Sequence, residues 1–434
     1  MPKIPAASDA DYLFGKKNAH FILFVVSLLM MINYMDRQVF SVVQESIRVD
    51  MGLNDTQMGM IGTFFALGMG LFALPIAFLV DKWSRNKAIG IMAVLWSGLT
   101  FITGLGVNFI TVLIPRTLVG IGEAGYTSGG TPLITSAFPE RLRATVMGIM
   151  NMVLPIGSII GLTLGGYLAV KTGTWRTPFY VFGAIGIIAG IMAFFLKDYK
   201  NTEAKVLKNN KRENFIVSAI SLLKIPTLLR LYVGYAMMQV MMMSMITWMP
   251  TFIIRIQGVK ADYAGLLTGA ITLFGIVGAF LGGIVADKWK VKNPRSRMLL
   301  PAIAILIATV LGILSLLLDV KGIGFILGCC MMLALLMAVA PLTAVTQDVT
   351  PIEKRGQAWG LNSFMQYFLG GGWAPLVAGA LSDYLGAGGE GLKIALIITS
   401  CFGFIAAILY LLGSRHYLAD MQKAQQFAYK QVSN

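Results

Sequence analysis

Long runs of Leu, Ile, Val, Met, Phe, Ala and Gly recur along the whole chain, each ended by a few charged or turn-forming residues. A bilayer core needs about 20 mostly apolar residues per helix. On that criterion the first part of the chain yields spans near 20–43, 57–80, 88–107, 110–136, 144–170 and 178–196. A polar interval follows, then six more spans near 229–254, 262–286, 298–317, 322–347, 357–381 and 392–412. Span 4 is interrupted by Arg116 and Glu123. The opening stretch, with Lys16 and Lys17, is polar, and no small-residue cleavage site follows the first apolar run. That run therefore reads as a retained helix and not as a removed signal peptide.

Composition agrees with lipid as the main solvent. Of 434 residues, 56% are hydrophobic and 13% charged, against about 25% charged in soluble domains. The 48 glycines suit helices that pack through close backbone contact. The 26 methionines fit either adaptable interfaces or plain lipid-facing bulk. Net charge is +15, but the cations lie between apolar runs, which is a membrane-loop pattern and calls for no nucleic acid. With both termini cytoplasmic, the inner segments hold 26 of the 35 Lys and Arg. The outer loops hold Arg48, Lys171, Arg176, Arg255, Lys260, Lys321 and Lys393. A wrong span count would scramble that asymmetry. The expected class is thus an all-α polytopic membrane protein of twelve transmembrane helices in two pseudo-symmetric six-helix bundles. Its membrane is expected to be a bacterial inner (cytoplasmic) one. Cys329, Cys330 and Cys401 lie in apolar runs without metal-ligand spacing, so neither a disulfide framework nor a metal site is expected.

Internal repetition supports the two bundles. Asp81-Lys82-Trp83 after span 2 recurs as Asp287-Lys288-Trp289 after span 8, and Gly59 matches Gly265 at the same offset of 206. Pro139, Arg143 and Gly148 recur as Pro351, Arg355 and Gly360 at an offset of 212. The expected organisation is a first bundle at 1–196, a cytoplasmic linker at 197–227, a second bundle at 228–414 and a cytoplasmic tail at 415–434. Duplicated bundles of this kind are a mark of carriers that rock about a midplane site.

The loop after span 2 resembles the signature of the major facilitator superfamily, through Asp81, Lys82 and Arg85, with Ala77 and Ser84 where glycines are usual. The second copy matches through Gly283, Asp287 and Lys288, and Arg116, Gly120 and Gly122 are similar to the superfamily's fourth-helix motif. The stretches Asn33-Tyr34-Met35-Asp36-Arg37, Gly120–Tyr126 and Pro155-Ile156-Gly157-Ser158 resemble the spinster branch. The Asp-Arg pair and the Gly-Glu-Ala triplet are shared with the anion:cation symporters. The resemblance implies the major facilitator fold and a secondary transporter. Its spinster side implies lysolipid or sphingolipid-like cargo, its symporter side a small hydrophilic anion such as a sugar acid.

Ionisable groups well inside spans are costly and usually functional. Asp36, Arg37, Arg116 and Glu123 are the cases here, all in the first bundle. Arg116 and Glu123 are two helical turns apart and share a face, whereas Asp36 and Arg37 splay about 100° apart. Asp36 and Glu123 are candidates to carry a proton, the expected coupling ion. Desolvation favours the neutral form of a buried carboxyl and a nearby arginine favours the charged one. The alternative is a permanent ion-pair cluster tying spans 1 and 4. Arg37 and Arg116 are candidates to hold an anionic group through the guanidinium fork. Asn33, Tyr34 and Tyr126 are added as binding candidates from the same stretches. The second bundle offers Gln239, Trp248, Asn362 and Gln366, with Met241, Met242 and Met243 as an apolar wall, or as residues that merely join helices. Asp81, Lys82, Arg85, Asp287 and Lys288 are expected to form a cytoplasmic latch. The Asn54-Asp55-Thr56 sequon reads more simply as a helix cap at Thr56 or Asp55.

The chain contains no phosphate-binding G-x-x-x-x-G-K-[ST] and no H-E-x-x-H. No cofactor, metal or enzymatic activity is expected, and a membrane-embedded enzyme or non-transporting receptor is the remote alternative. The expected partners are a small-molecule or lipid substrate and membrane lipids, with the chain acting as a monomer.

Overall fold

The computed structural model describes residues 12–82, 84–197, 215–318 and 321–432. The first run becomes α1 (Lys16–Met51), longer than the bilayer requires, and Gly52 ends it with φ 63°, a left-handed conformation that favours glycine. There follow α2 (Asp55–Lys82), α3 (Arg85–Thr103), α4 (Phe109–Glu123), α5 (Tyr126–Ala137), α6 (Glu140–Thr172) and α7 (Arg176–Ala193). A short helix, α8 (Phe215–Leu223), lies within the expected linker. Then come α9 (Pro226–Gln257), α10 (Ala261–Lys290), α11 (Ser296–Leu317), α12 (Ile323–Met337), α13 (Val339–Asp348), α14 (Arg355–Met365), α15 (Ala374–Tyr384), α16 (Gly388–Ser400) and α17 (Phe402–Val432).

Ten helices among the described residues are long and apolar enough to cross a membrane. The other two spans are broken into shorter pieces. Span 4 divides into α4 and α5 just after Glu123, in the run that Arg116 and Glu123 interrupt. Span 11 divides into α14 and α15 around a π-helical turn at Gln366–Gly371; such turns widen a helix and loosen its register. The expected tail is helical through Val432, because α17 continues well past the apolar run. At the head of α2 the cap is Asn54 and not Asp55 or Thr56. Asn54 Oδ1 accepts the Gln57 amide at 2.8 Å and Gln57 Oε1 accepts the Asn54 amide at 3.1 Å.

The chain packs as two compact units. The first holds α1, α2 from Phe64 onward, α3–α7, and Lys260–Leu266 at the head of α10. Inside it α3 lies along α7 and α1 along α6. Gly157, Gly161 and Gly165 recur every four residues on α6, and Cβ atoms there would stand 2.6 Å from Met31 O, 2.5 Å from Met35 O and 3.0 Å from Val39 Cγ2. Only hydrogen at these three positions lets the α1 backbone approach so closely. Its core gathers Ile22, Val25, Leu29, Ile89, Trp96 and Val119.

The second unit holds Leu53–Thr63 at the head of α2, together with α8, α9, α10 from Leu267, and α11–α17. The repeat of Gly59 and Gly265 has a physical reason. Within the second unit a Cβ at Gly59 would run into the Pro375 carbonyl, and within the first a Cβ at Gly265 would run into that of Leu162. In each unit a helix head is admitted by the matched glycine.

Candidate functional site

In the first unit α1 and α4 bring the four predicted ionisable residues into two crossed pairs. Arg116 Nη1 donates to Asp36 Oδ1 at 3.0 Å, and Nη2 reaches the Asp36 carbonyl at 3.4 Å. Arg37 Nε donates to Glu123 Oε2 at 2.8 Å. Asp36 and Arg37 splay as consecutive helical residues must, yet both find partners on α4. The α6 glycine stripe sets α1, since the close approach at Gly161 falls on Met35, beside the pair. Gly120 sets α4, because a Cβ there would collide with the Phe65 carbonyl of α2.

The two pairs differ in surroundings. Asp36 and Arg116 have side chains only 2% exposed. The Thr100 hydroxyl of α3 donates to Asp36 Oδ2 at 2.6 Å. The rings of Phe65 and Phe40 lie 5.0 and 5.3 Å from the Arg116 guanidinium, positions that favour a cation. Glu123 is fully buried, but Arg37 keeps 21% exposure and stacks over Tyr34 at 4.7 Å. Glu123 Oε1 and Arg116 Nε are buried without a hydrogen-bond partner. The first pair is thus enclosed, with both carboxylate oxygens of Asp36 bonded and Arg116 Nε left open. The second has one open carboxyl oxygen and a cation that reaches solvent.

Other candidates from the same stretches separate. Asn33 is buried with Nδ2 unpartnered. Tyr126 turns into the core, its hydroxyl donating to the Val26 carbonyl and its ring packing edge-on against Trp96. Thr100, Phe40 and Phe65 were not anticipated, because a threonine or phenylalanine in an apolar run carries no sign of a charged neighbour.

In the second unit Gln239 on α9 and Asn362 on α14 are buried, with Gln239 Oε1 and both polar atoms of Asn362 unpartnered. Gln366 opens the π-helical turn. Trp248 is fully buried, and its indole N–H donates to the Pro375 carbonyl at 3.1 Å. Met241 is also fully buried, while Met242 and Met243 are half-buried. Trp248 and Met241 therefore serve helix packing in this structure and not an open wall.

The near absence of charge in the second unit holds only for helix interiors. Asp55 and Arg255 form a buried two-pronged pair at 2.6 and 2.7 Å. The Ser382 hydroxyl donates to Asp55 Oδ2 at 2.6 Å. Asp383 accepts from the amides of Asp55 (3.1 Å) and Thr56 (2.7 Å) and from the Thr56 hydroxyl (2.5 Å). At another helix head, Asp420 of α17 accepts from the amide (3.0 Å) and hydroxyl (2.7 Å) of Thr227 on α9. The sequence placed these residues at span ends, but their pairing across hundreds of positions left no local pattern.

For the expected latch, the side chains of Asp81 and Lys82 lie outside the described residues. Arg85 is buried at the head of α3. Asp287 pairs with Arg297 at 2.9 Å, which also holds Asp348 at 2.8 Å, and the Tyr417 hydroxyl donates to Asp348 at 2.5 Å. Lys288 is exposed.

The Major Facilitator Superfamily model matches residues 26–375. The chain belongs to this superfamily. Its relatives include an efflux pump of this type from Mycolicibacterium smegmatis, 27% identical, with 96% of this chain and 98% of that protein covered. A hexuronate transporter of Bacillus subtilis is 27% identical, with coverage of 81% and 85%. Protein spinster homolog 1 of Xenopus tropicalis is 23% identical, with coverage of 97% and 85%. Among solved structures, a bacterial homolog of the human lysosomal transporter spinster superposes with a TM-score of 0.83 at 24% identity, covering 94% of this chain and 99% of that one. The Major Facilitator Superfamily fold is thereby shown, with the twelve-helix membrane architecture that the hydropathy pattern predicts, and the likeness extends to both the spinster and the sugar-acid relatives.

Proposed function

We propose that this member of the Major Facilitator Superfamily moves an amphiphilic organic anion, lysolipid or sphingolipid-like, by alternating access with a proton as coupling ion. It acts as a monomer in a bacterial cytoplasmic membrane. The observation that carries the proposal is the asymmetry of the two buried pairs. Asp36 is enclosed with both carboxylate oxygens bonded, by Arg116 and Thr100, whereas Glu123 keeps an open oxygen and its partner Arg37 reaches solvent. A proton arriving at Glu123 would release Arg37, whose guanidinium fork can then take an anionic group of the cargo. Departure of the cargo returns Arg37 to Glu123 and expels the proton. In this scheme Asp36 holds Arg116 in place and adds a second site for protonation. Tyr34, stacked under Arg37, and Asn33 complete the anion end. Lipid-like cargo is what the spinster resemblance of the sequence implies, and Protein spinster homolog 1 is among the relatives.

A second reading, a symporter of a small hydrophilic anion such as a sugar acid, has its own support. The unpartnered atoms of Asn362 and Gln239 suit hydroxyl groups, and relatives include the hexuronate transporter and a probable galactarate/D-glucarate transporter. A thermal-shift panel on purified protein, comparing lysolipids, sphingoid phosphates and sugar acids across pH, separates the two, because a ligand stabilises by mass action. In proteoliposomes carrying a pH gradient, the cargo so identified should accumulate with the native chain and not with Glu123→Gln. Gradient-driven uptake undiminished in both Asp36→Asn and Glu123→Gln removes the coupling assignment.

A further inference from the structure

The turn joining α10 to α11 carries more positive charge than the protein answers. Lys288 and Lys290 end α10, Lys292 lies in the turn, Arg295 is the N-cap of α11 and Arg297 stands in its first turn. The two lysines on α10 suit the negative end of that helix. Lys292 and Arg295 instead face the positive end of α11, whose first turn has no acidic residue and whose N-cap makes no side-chain bond. Arg297 is answered by Asp287 and Asp348. Lys288, Lys290, Lys292 and Arg295 have no acidic partner among the described residues. Lys288, Lys292 and Arg295 are also exposed.

Apolar side chains are interleaved with these cations. Trp289 is half-buried and Val291 is 88% exposed. The turn is held firmly: the amides of Lys292 and Asn293 both donate to the Trp289 carbonyl, at 3.0 and 2.9 Å, and the Arg295 amide donates to Asn293 Oδ1 at 3.0 Å. The Ser296 hydroxyl ties the turn back to the Ala286 carbonyl at 3.2 Å. A rigid turn at the end of a span thus presents a valine amid cations. A merely solvated loop gains nothing from that valine. A surface of phosphate headgroups over acyl chains accommodates both the cations and the valine.

We propose that residues 288–295 form a docking surface for anionic phospholipid headgroups of the bilayer the chain spans. Phosphates meet Lys290, Lys292 and Arg295, and Val291 points toward the acyl region. The test uses the full chain in detergent, titrated with phosphatidylglycerol or phosphatidylcholine, with bound lipid read by native mass spectrometry. The native chain should retain phosphatidylglycerol selectively, and selectivity should fall with added salt. The triple variant K290Q/K292Q/R295Q should lose on the order of a hundredfold in affinity, from about fivefold per cation near the surface. The control R415Q/K423Q, which removes two cations outside residues 288–295, should stay within about twofold. Val291→Ser should weaken phosphatidylglycerol but leave tripolyphosphate binding unchanged, because it removes only the acyl-facing contact. The proposal is overturned by native-like lipid binding in the triple variant, by equal losses in the control, or by tripolyphosphate displacing the lipid at equal phosphate concentration. Thermal unfolding in lipid-free detergent checks that each variant is folded, and the exposed positions of Lys292 and Arg295 make that the expected result.

Discussion

Neutralising Asp36 tests the physical account of the site most directly. Asp36→Asn keeps the side-chain volume and removes one charge. It leaves the Arg116 guanidinium, 2% exposed and 3.0 Å away, without an anion. Stranding a buried charge in this way costs about 3–5 kcal/mol, and Arg116→Gln, which strands Asp36, should cost a similar amount. The double variant Asp36→Asn/Arg116→Gln leaves no charge behind, only less perfect hydrogen bonds, at about 1–2 kcal/mol. The double should therefore be more stable than either single, with a coupling energy of about 4 kcal/mol or more, above the usual upper end of about 3 kcal/mol for contacting residues. Glu123→Gln should be milder, about 1 kcal/mol, because Arg37 with 21% exposure can turn to solvent. The assay is equilibrium unfolding in mixed micelles for the native chain, three singles and the double. Additive losses at Asp36 and Arg116, or a greater cost for Glu123→Gln than for Asp36→Asn, would refute the distinction between a closed and an open pair.

Three further outcomes follow from the packing. Thr100→Val removes the 2.6 Å hydrogen bond to Asp36 at nearly constant volume and should destabilise by about 1.5–3 kcal/mol, read in the same unfolding assay. Gly161→Leu cannot be accommodated against the Met35 carbonyl, so α1 must shift, and uptake in proteoliposomes should be lost even where folded protein is recovered. Asp420→Ala uncaps the head of α9 and should cost about 1 kcal/mol, with faster amide hydrogen exchange around Thr227 as the local readout; unchanged exchange there would remove the cap from the argument.

The chain made its helices plain and their rotations obscure. Twelve spans could be counted because a bilayer imposes a fixed length of apolar sequence. The break after Glu123 falls in the run whose charges interrupted the pattern. The repeat of Gly59 and Gly265 was visible as a match, but its cause, a carbonyl seated on each glycine, needed the packed backbone. Asp36, Arg37, Arg116 and Glu123 could be picked out because charge in a span is rare. Which arginine meets which carboxylate depends on helix rotation, which spacing along one helix does not determine. Arg255 reads in the sequence as a loop cation and Asp55 as a helix cap, since polar groups at span ends look ordinary until a partner from elsewhere in the chain buries them.

The carboxylates that close two helix heads have a bearing on how the protein is made. Asp383 serves the amides of Asp55 and Thr56 from 327 or more residues further along, and Asp420 serves Thr227 from 193 further along. Synthesis runs from the N-terminus, so both heads enter the membrane long before their carboxylates exist. Until the last two spans emerge, those amides depend on headgroup water or on whatever assists insertion. Completion of the C-terminal helices is therefore also the moment at which the beginnings of α2 and α9 acquire their final polar contacts. A chain cut short near its end loses more than the helices it lacks.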